Sequence, residues 1–240
     1  MTRSPRRAIV LVPYLTHIEP ACDRGLRELE HRGLEVRRYA STAAVDRTRS
    51  ELATAALRDG FDELIWIDSD IAFEPADVDK LRSHDLPIVA GMYAKKGPQA
   101  FAAYFEPGTE TLQLGASGGP CRARYIGMGF VYTQRRVYDD VQRVCSLPLC
   151  DARSEPPAVP YFLPMVIEDD AQPGGYWYLG EDYAFCERAR QAGYELIVDT
   201  SIRLGHIGSY QYGWEDAVHQ LPRVAGLTLQ LPPVTRPGET

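Results

Sequence analysis

Hydrophobic positions along the chain follow two alternating periods. Residues 8–14, AIVLVPY, form a near-continuous apolar run of the kind buried on both faces of a parallel sheet. Pro20 then stands where a helix starts, Cys22, Leu26 and Leu29 follow at helical spacing, and Gly33 ends the pattern. LEVRRYA (34–40) predicts a second strand. Residues 43–59 predict a second helix with Val45, Leu52 and Ala56 on one face, closed by Gly60. DELIWIDSD (62–70) predicts a third strand, Glu74-Pro75 opens a third helix carrying Val78 and Leu81, and PIVAGMY (87–93) predicts a fourth strand. Strand and helix alternate through residue 93, which predicts a layered βαβ unit.

Beyond that point the pattern changes. AFAAYFEPGTETLQLG (100–115) places Pro107-Gly108 between two strand-like runs and predicts a hairpin. ARYIGMGFVYT (123–133) leads into a predicted helix over 135–144. Residues 146–178 are rich in proline, glycine and aromatics without a sustained period, and so long a stretch reads as a functional lid or a flexible segment. EDYAFCERARQAG (181–193) predicts a helix with Gly193 at its C′ position, followed by the strand YELIVDT (194–200). Pro222, Pro232, Pro233 and Pro237 predict an extended or disordered tail over 222–240. The chain has no internal repeat.

With 240 residues, 45% hydrophobic and 25% charged, the chain is long enough to bury a core without staples and fits one domain better than two. A net charge of -7 weighs against broad binding to nucleic acid or to anionic membrane. Its five cysteines are an odd number with no CxxC pair, the pattern of reduced thiols in a cytosolic protein. The apolar run near the N-terminus is too short to span a membrane and contains Pro13. The expectation is a cytoplasmic protein with no membrane span, and a homodimer as the default assembly.

The chemistry concentrates in LIWIDSDIAFEP (64–75), an apolar strand that ends in Asp68-Ser69-Asp70. In open α/β sheets, ligands bind beyond the carboxyl ends of strands. Two hard oxygen donors spaced i, i+2 with no cysteine nearby suit Mg2+ or Mn2+ better than zinc, while a strand-to-helix turn with capping acids is the plainer reading. Glu181-Asp182 opens a helix, where the dipole alone already favours an acid. Arg47 and Arg49 bind an anionic ligand or line a solvated helix face, and the pair Lys95-Lys96 neutralises phosphate or is simply solvated. Gly127 and Gly129 admit a ligand past a bare backbone or form a bulge. Tyr176, Trp177 and Tyr178 stack on a sugar ring or anchor a loop. His17, His31, His84 and His219 read as structural or exposed, with His17 close enough to the first strand to line a site there.

The series of apolar strand, D-x-D, apolar residue, acid and proline resembles the nucleotide-sugar-dependent glycosyltransferases of the GT-A fold. AVDRTRSELATAAL (44–57) is similar to the helix before this strand in family 2-like and Anp1-like mannosyltransferases, and PIVAGMYAKK (87–96) to the strand after it. IGMGFVYTQRRVYDDV resembles the G-x-G-F element, and LGEDYAFCERARQAGYELIVDTSIRLGHIG the acidic-pair helix with its following strand and histidine. Each motif is weak alone; their order over residues 8–209 carries the resemblance.

The resemblance implies a single-domain GT-A (Rossmann-like) α/β fold, with a central mixed, mostly parallel sheet flanked by helices. Its domain would cover 1–221, with a nucleotide-binding half at 1–93 and an acceptor half at 94–221. It implies Asp70 as metal ligand, Asp68 on the donor ribose or a metal-bound water, and His206 as a further ligand to Mn2+ or Mg2+. It implies Pro13 and Tyr14 at the nucleobase, with Arg47, Arg49, Gly127 and Gly129 beside the donor. Asp182 would be the general base of an inverting transfer, with Glu181 orienting it and Tyr176, Trp177 and Tyr178 holding the acceptor; Anp1-like relatives instead retain configuration. The expected activity is transfer of a single sugar from a UDP- or GDP-linked donor to an acceptor hydroxyl, because the membrane helices and Q-x-x-R-W segment of processive synthases are missing. Two other readings stand beside it: a sugar nucleotidyltransferase, disfavoured because VPYLTHIEP after the first strand has no glycine, and a non-catalytic nucleotide-sugar-binding relative. No P-loop motif occurs.

Overall fold

The computed structural model describes residues 6–41, 44–97, 99–153, 156–169, 172–217, 226 and 228–230. The first part of the chain follows the predicted alternation: β1 (Ala8–Tyr14), α1 (Pro20–His31), β2 (Glu35–Ala40), α2 (Val45–Arg58), β3 (Glu63–Ile67), the short β4 (Ile71–Ala72), α3 (Pro75–Ser83) and β5 (Ile88–Met92). Then come β6 (Ala103–Phe105), β7 (Thr111–Gln113), β8 (Pro120–Ile126), β9 (Phe130–Gln134), α4 (Arg135–Val144), β10 (Met165–Glu168) and β11 (Tyr176–Leu179). The chain continues with α5 (Glu181–Gln191), β12 (Leu196–Arg203), β13 (Gly205–Ile207), β14 (Gln211–Tyr212) and β15 (Thr228–Gln230).

Eight strands form one mixed sheet in the order β2-β1-β3-β9-β5-β12-β8-β6. β2, β1 and β3 pair in parallel, as do β5 and β12, whereas β9 and β8 run against their neighbours. Most strands therefore share one direction, as expected.

The continuous apolar runs divide between the two faces with the period of a strand. Ile9, Leu11, Leu64 and Trp66 pack on one side with residues of α2, α4 and α5. Val10, Val12, Ile65 and Ile67 pack on the other with residues of α1 and α3. Burial on both faces is why these strands lack polar alternation.

Three sequence expectations change. The runs around Pro107-Gly108 do not form a hairpin with each other: β6 pairs with β8, and β7 pairs with β15. The turn is present, with the Thr109 amide bonded to the Glu106 carbonyl, but each flanking strand finds a partner elsewhere. The 146–178 stretch runs into an antiparallel ribbon, β10–β11, whose register sets Val166 opposite Tyr178 and Glu168 opposite Tyr176. Of the tail, Thr228–Gln230 is an ordered strand on β7, extended as expected but packed. His219, Pro222, Pro232, Pro233 and Pro237 lie outside the described residues.

Candidate active site

The insertion of β9 between β3 and β5 positions the site. Because β9 runs antiparallel, the Gly127-Met128-Gly129 turn at its start emerges at the carboxyl ends of β3 and β5. The Asp68 amide bonds the Gly129 carbonyl at 2.9 Å, which ties the D-x-D turn to that loop. A Cβ on Gly127 or Gly129 would stand 2.5 or 2.6 Å from the Tyr93 hydroxyl, so the bare backbone there makes room for Tyr93. Gly127 also lines the larger of two cavities that meet at the site.

That cavity, of about 730 Å3, is bounded by Tyr93, Lys95, Lys96, Asp68, Asp182, His206 and the aromatic strand β11. A second cavity of about 350 Å3 is lined by Pro13, Tyr14, Leu15, Arg49, Asp68, Asp70, Glu181 and Asp182. The two share Asp68, Glu181 and Asp182, which form the boundary between them.

Arg49 occupies the centre. It rises from α2 with only 2% of its surface exposed, above the face of Trp66. Its Nη2 donates to Asp68 Oδ1 at 2.9 Å, and its Nε lies 3.8 Å from Asp182 Oδ1. Burial works against the cation, but Asp68, Asp182 and Glu181 outweigh it and hold Arg49 charged. Arg49 Nε and Nη1 and Asp182 Oδ1 are nonetheless buried without a hydrogen-bond partner among the described residues. Buried polar atoms are almost always satisfied, so these three point to a ligand or water held between the helices. Burial raises the Asp182 carboxyl to about 7; Arg49 opposes the rise, and Glu181 and Asp68 add to it.

Asp70 is served by a separate small sheet. β4 follows the D-x-D turn directly and pairs with β13, so that His206 lies opposite Ile71 and the Ile207 amide bonds the Asp70 carbonyl. His206 Nδ1 is 2.8 Å from the Ala94 carbonyl, which can only accept, so the ring donates there and its Nε2 is directed at Asp70. Nε2 stands 3.5 Å from Asp70 Oδ1, and Lys96 Nζ stands 2.6 Å from Asp70 Oδ2. Burial alone would raise the Asp70 carboxyl, but His206 and Lys96 outweigh it and lower its pKa.

One carboxylate and one imidazole, oriented by a backbone carbonyl, suit Mg2+ or Mn2+ bound jointly with phosphate oxygens. Among the described residues no group of three or more His, Cys, Asp or Glu side chains forms a self-sufficient cage. Asp68, expected on the donor ribose or a metal-bound water, accepts from Arg49 Nη2 at 2.9 Å.

The other expected residues divide clearly. Pro13 and Tyr14 line the smaller cavity. Arg47 does not line either cavity; it pairs with Glu51 at 2.7 Å and Asp151 at 3.3 Å on the outer side of α2. Tyr176, Trp177 and Tyr178 border the larger cavity, with Tyr176 and Tyr178 65% and 75% exposed and Trp177 against the Arg124 guanidinium.

Two residues of the site escaped sequence reasoning. Tyr93 bonds the Gly129 amide through its hydroxyl and sets its ring edge-on to His206 at 5.1 Å. Tyr183 joins Tyr104 and Tyr125 beneath the larger cavity, where Lys95 lies 5.2 Å above the Tyr104 ring. Nothing in the local spacing of either tyrosine marks it.

No family model matches the chain, and no curated protein matches it. Among solved structures, A197 from STIV superposes over 84% of this chain and 86% of that one, with a TM-score of 0.53 and 16% identity. GalNAc-T7 with UDP, GalNAc and Mn2+ aligns over 85% of this chain and 44% of that one, with a TM-score of 0.46 and 12% identity. A glycosyltransferase involved in glycosylation of the major capsid of PBCV-1 aligns over 80% of this chain and 91% of that one, with a TM-score of 0.35 and 14% identity. At such identities the likeness concerns the fold alone: an eight-stranded mixed sheet between helical layers. No helix among the described residues is long and apolar enough to cross a membrane.

Proposed function

We propose that this protein is a glycosyltransferase that moves a single sugar from a nucleoside-diphosphate sugar to an acceptor hydroxyl. The observation that carries this reading is the boundary between the two cavities, where Arg49, Asp68 and Asp182 meet with three buried polar atoms that lack a hydrogen-bond partner among the described residues. A donor lying along the smaller cavity would set its nucleoside against Pro13 and Tyr14 and its diphosphate near Asp68 and Asp70. The sugar would then lie at the boundary, with the acceptor in the larger cavity beneath Tyr176, Trp177 and Tyr178.

In the reaction, Asp182 takes the proton of the acceptor hydroxyl while that oxygen bonds to the anomeric carbon. The glycosyl–phosphate bond breaks and the nucleoside diphosphate departs. A carboxylate raised to about 7 by burial is matched to this task, being partly ionised at neutral pH and basic enough to accept a proton. Attack from the acceptor side with a carboxylate base corresponds to inversion. Glu181, in the same helical turn, adds negative charge that keeps Asp182 basic. A divalent cation at Asp70 and His206 would supply positive charge to the leaving diphosphate.

Thermal-shift titration with UDP, GDP, CDP and ADP, each with and without Mn2+, tests this reading. A ligand that binds the native state alone raises Tm by mass action. The expected result is stabilisation by one nucleotide that requires Mn2+ and disappears in Asp70→Ala. If no nucleotide shifts Tm in the presence of Mn2+, the nucleotide-sugar reading fails.

A further inference from the structure

Lys96 holds a position that the reaction as proposed leaves unused. Its ammonium lies 2.6 Å from Asp70 Oδ2, on the carboxylate whose other oxygen faces His206 Nε2. The side chain reaches there from the segment after β5, and its stem passes Gly208: a Cβ on that glycine would stand 3.2 Å from Lys96 Cδ. Lys96 therefore occupies the approach to Asp70 from a defined perch.

A divalent cation bound to Asp70 at roughly 2.0–2.1 Å and an ammonium hydrogen-bonded to the same carboxylate repel each other strongly in a partly buried site. The two positive charges compete for Asp70, the cation from the His206 side and the ammonium on Oδ2. The protein also brings too few ligands to hold a bare cation well, since Asp70 and His206 have no third acidic, histidine or cysteine partner among the described residues. A nucleoside diphosphate changes both conditions at once. Its oxygens complete the coordination sphere, and its negative charge offers Lys96 a new partner within reach of its flexible stem.

We propose that Lys96 is a tethered counter-ion that leaves Asp70 for the donor diphosphate when the cation binds, so that cation and nucleotide load as a linked pair. This inference rests on the nucleotide-sugar reading of the site. By linkage, the factor by which nucleotide tightens the cation equals the factor by which the cation tightens nucleotide. Lys96 contributes to that factor in two ways: it weakens cation binding to the empty site, and it strengthens nucleotide binding to the loaded one.

The test is Mn2+ binding, followed by loss of the free-ion EPR signal, without nucleotide and with saturating UDP, GDP, CDP or ADP. Wild type, Lys96→Met, Lys96→Arg and Asp70→Ala are compared. The Lys96 side chain is about a third exposed, so its replacement leaves the core intact. Lys96→Met is expected to bind Mn2+ about tenfold more tightly in the absence of nucleotide, and to lose about tenfold of the tightening that the cognate nucleotide confers. Lys96→Arg is expected to retain most of the wild-type coupling. If Asp70→Ala abolishes Mn2+ binding while Lys96→Met changes neither quantity, the counter-ion role is overturned and the cation site stands. If no nucleotide alters wild-type Mn2+ affinity, the coupling does not exist and the inference falls. If Asp70→Ala binds Mn2+ as wild type does, the cation site itself is misplaced and both readings fall.

Discussion

The two sides of the site, donor and acceptor in the reaction proposed above, are built on opposite principles. On the donor side, charged groups are fixed at the ends of strands and helices: Arg49 is buried between Asp68 and Asp182, and Asp70 between His206 and Lys96. Each is held by neighbours that the main sheet or its β4–β13 extension places. On the acceptor side, the wall is the two-stranded ribbon β10–β11, which lies outside the main sheet and turns Tyr176 and Tyr178 to solvent. Groups that perform chemistry need positions fixed to a fraction of an ångström, which packed elements supply. A wall that selects an acceptor can stand on a peripheral ribbon, where it is free to differ without disturbing the core.

This contrast gives graded expectations. The largest effect belongs to Asp182→Asn, which keeps the shape of the side chain and removes the base. Its kcat/KM is expected to fall by about 10²–10⁴, while nucleotide binding measured by thermal shift persists. A comparable loss of nucleotide binding would make Asp182 a donor ligand and dissolve the distinction between the two sides.

Next comes the pH dependence. Burial raises Asp182 to about 7, so the group is protonated and idle below that pH and ionised above it. The wild-type kcat/KM is therefore expected to rise with pH through a midpoint near 7 and then level off. Arg49 opposes the rise, so Arg49→Met leaves Asp182 less favoured as an anion, and the midpoint is expected to move up by about one unit or more. A midpoint that stays in place in Arg49→Met would mean that the observed titration belongs to another group.

The smallest effect is expected on the ribbon. Tyr178→Ala removes an aromatic face that contributes little to the core, so Tm should hold and the acceptor KM should rise by roughly 2- to 10-fold, with the donor KM unchanged. A loss of fold stability instead would make the ribbon part of the packed scaffold and remove the contrast.

Much of the donor side is legible before folding. The apolar run ending in Asp68-Ser69-Asp70 needs only the rule that α/β ligands collect at strand carboxyl ends. Arg49 carried a readable signal as well: it shares a helical face with Val45, Leu52 and Ala56, which marks it as the buried arginine of α2. Arg47, two positions away, faces elsewhere because helix positions i and i+2 do not share a side. The glycines were a different matter. Gly127 and Gly129 read as room for a ligand or as a bulge; a Cβ on either would meet Tyr93, which is distant in sequence and unmarked by any local pattern. The 146–178 stretch concealed its ribbon because β10 and β11 are only four residues each and are separated by a polar, glycine-containing segment that breaks any sustained period.

What the sequence determined by itself was everything governed by local period: the helices, the doubly buried strands, the layered class and the acids placed at element ends. Such features depend on side-chain direction along one element, which repeats every few residues. Tertiary structure alone decided which strand sits between β3 and β5, how β13 docks on β4 to bring His206 to Asp70, and where the partners of β6 and β7 lie. Those outcomes depend on pairing between segments far apart in the chain, and a strand's hydrophobic pattern specifies which face it buries without naming the neighbour at its edge.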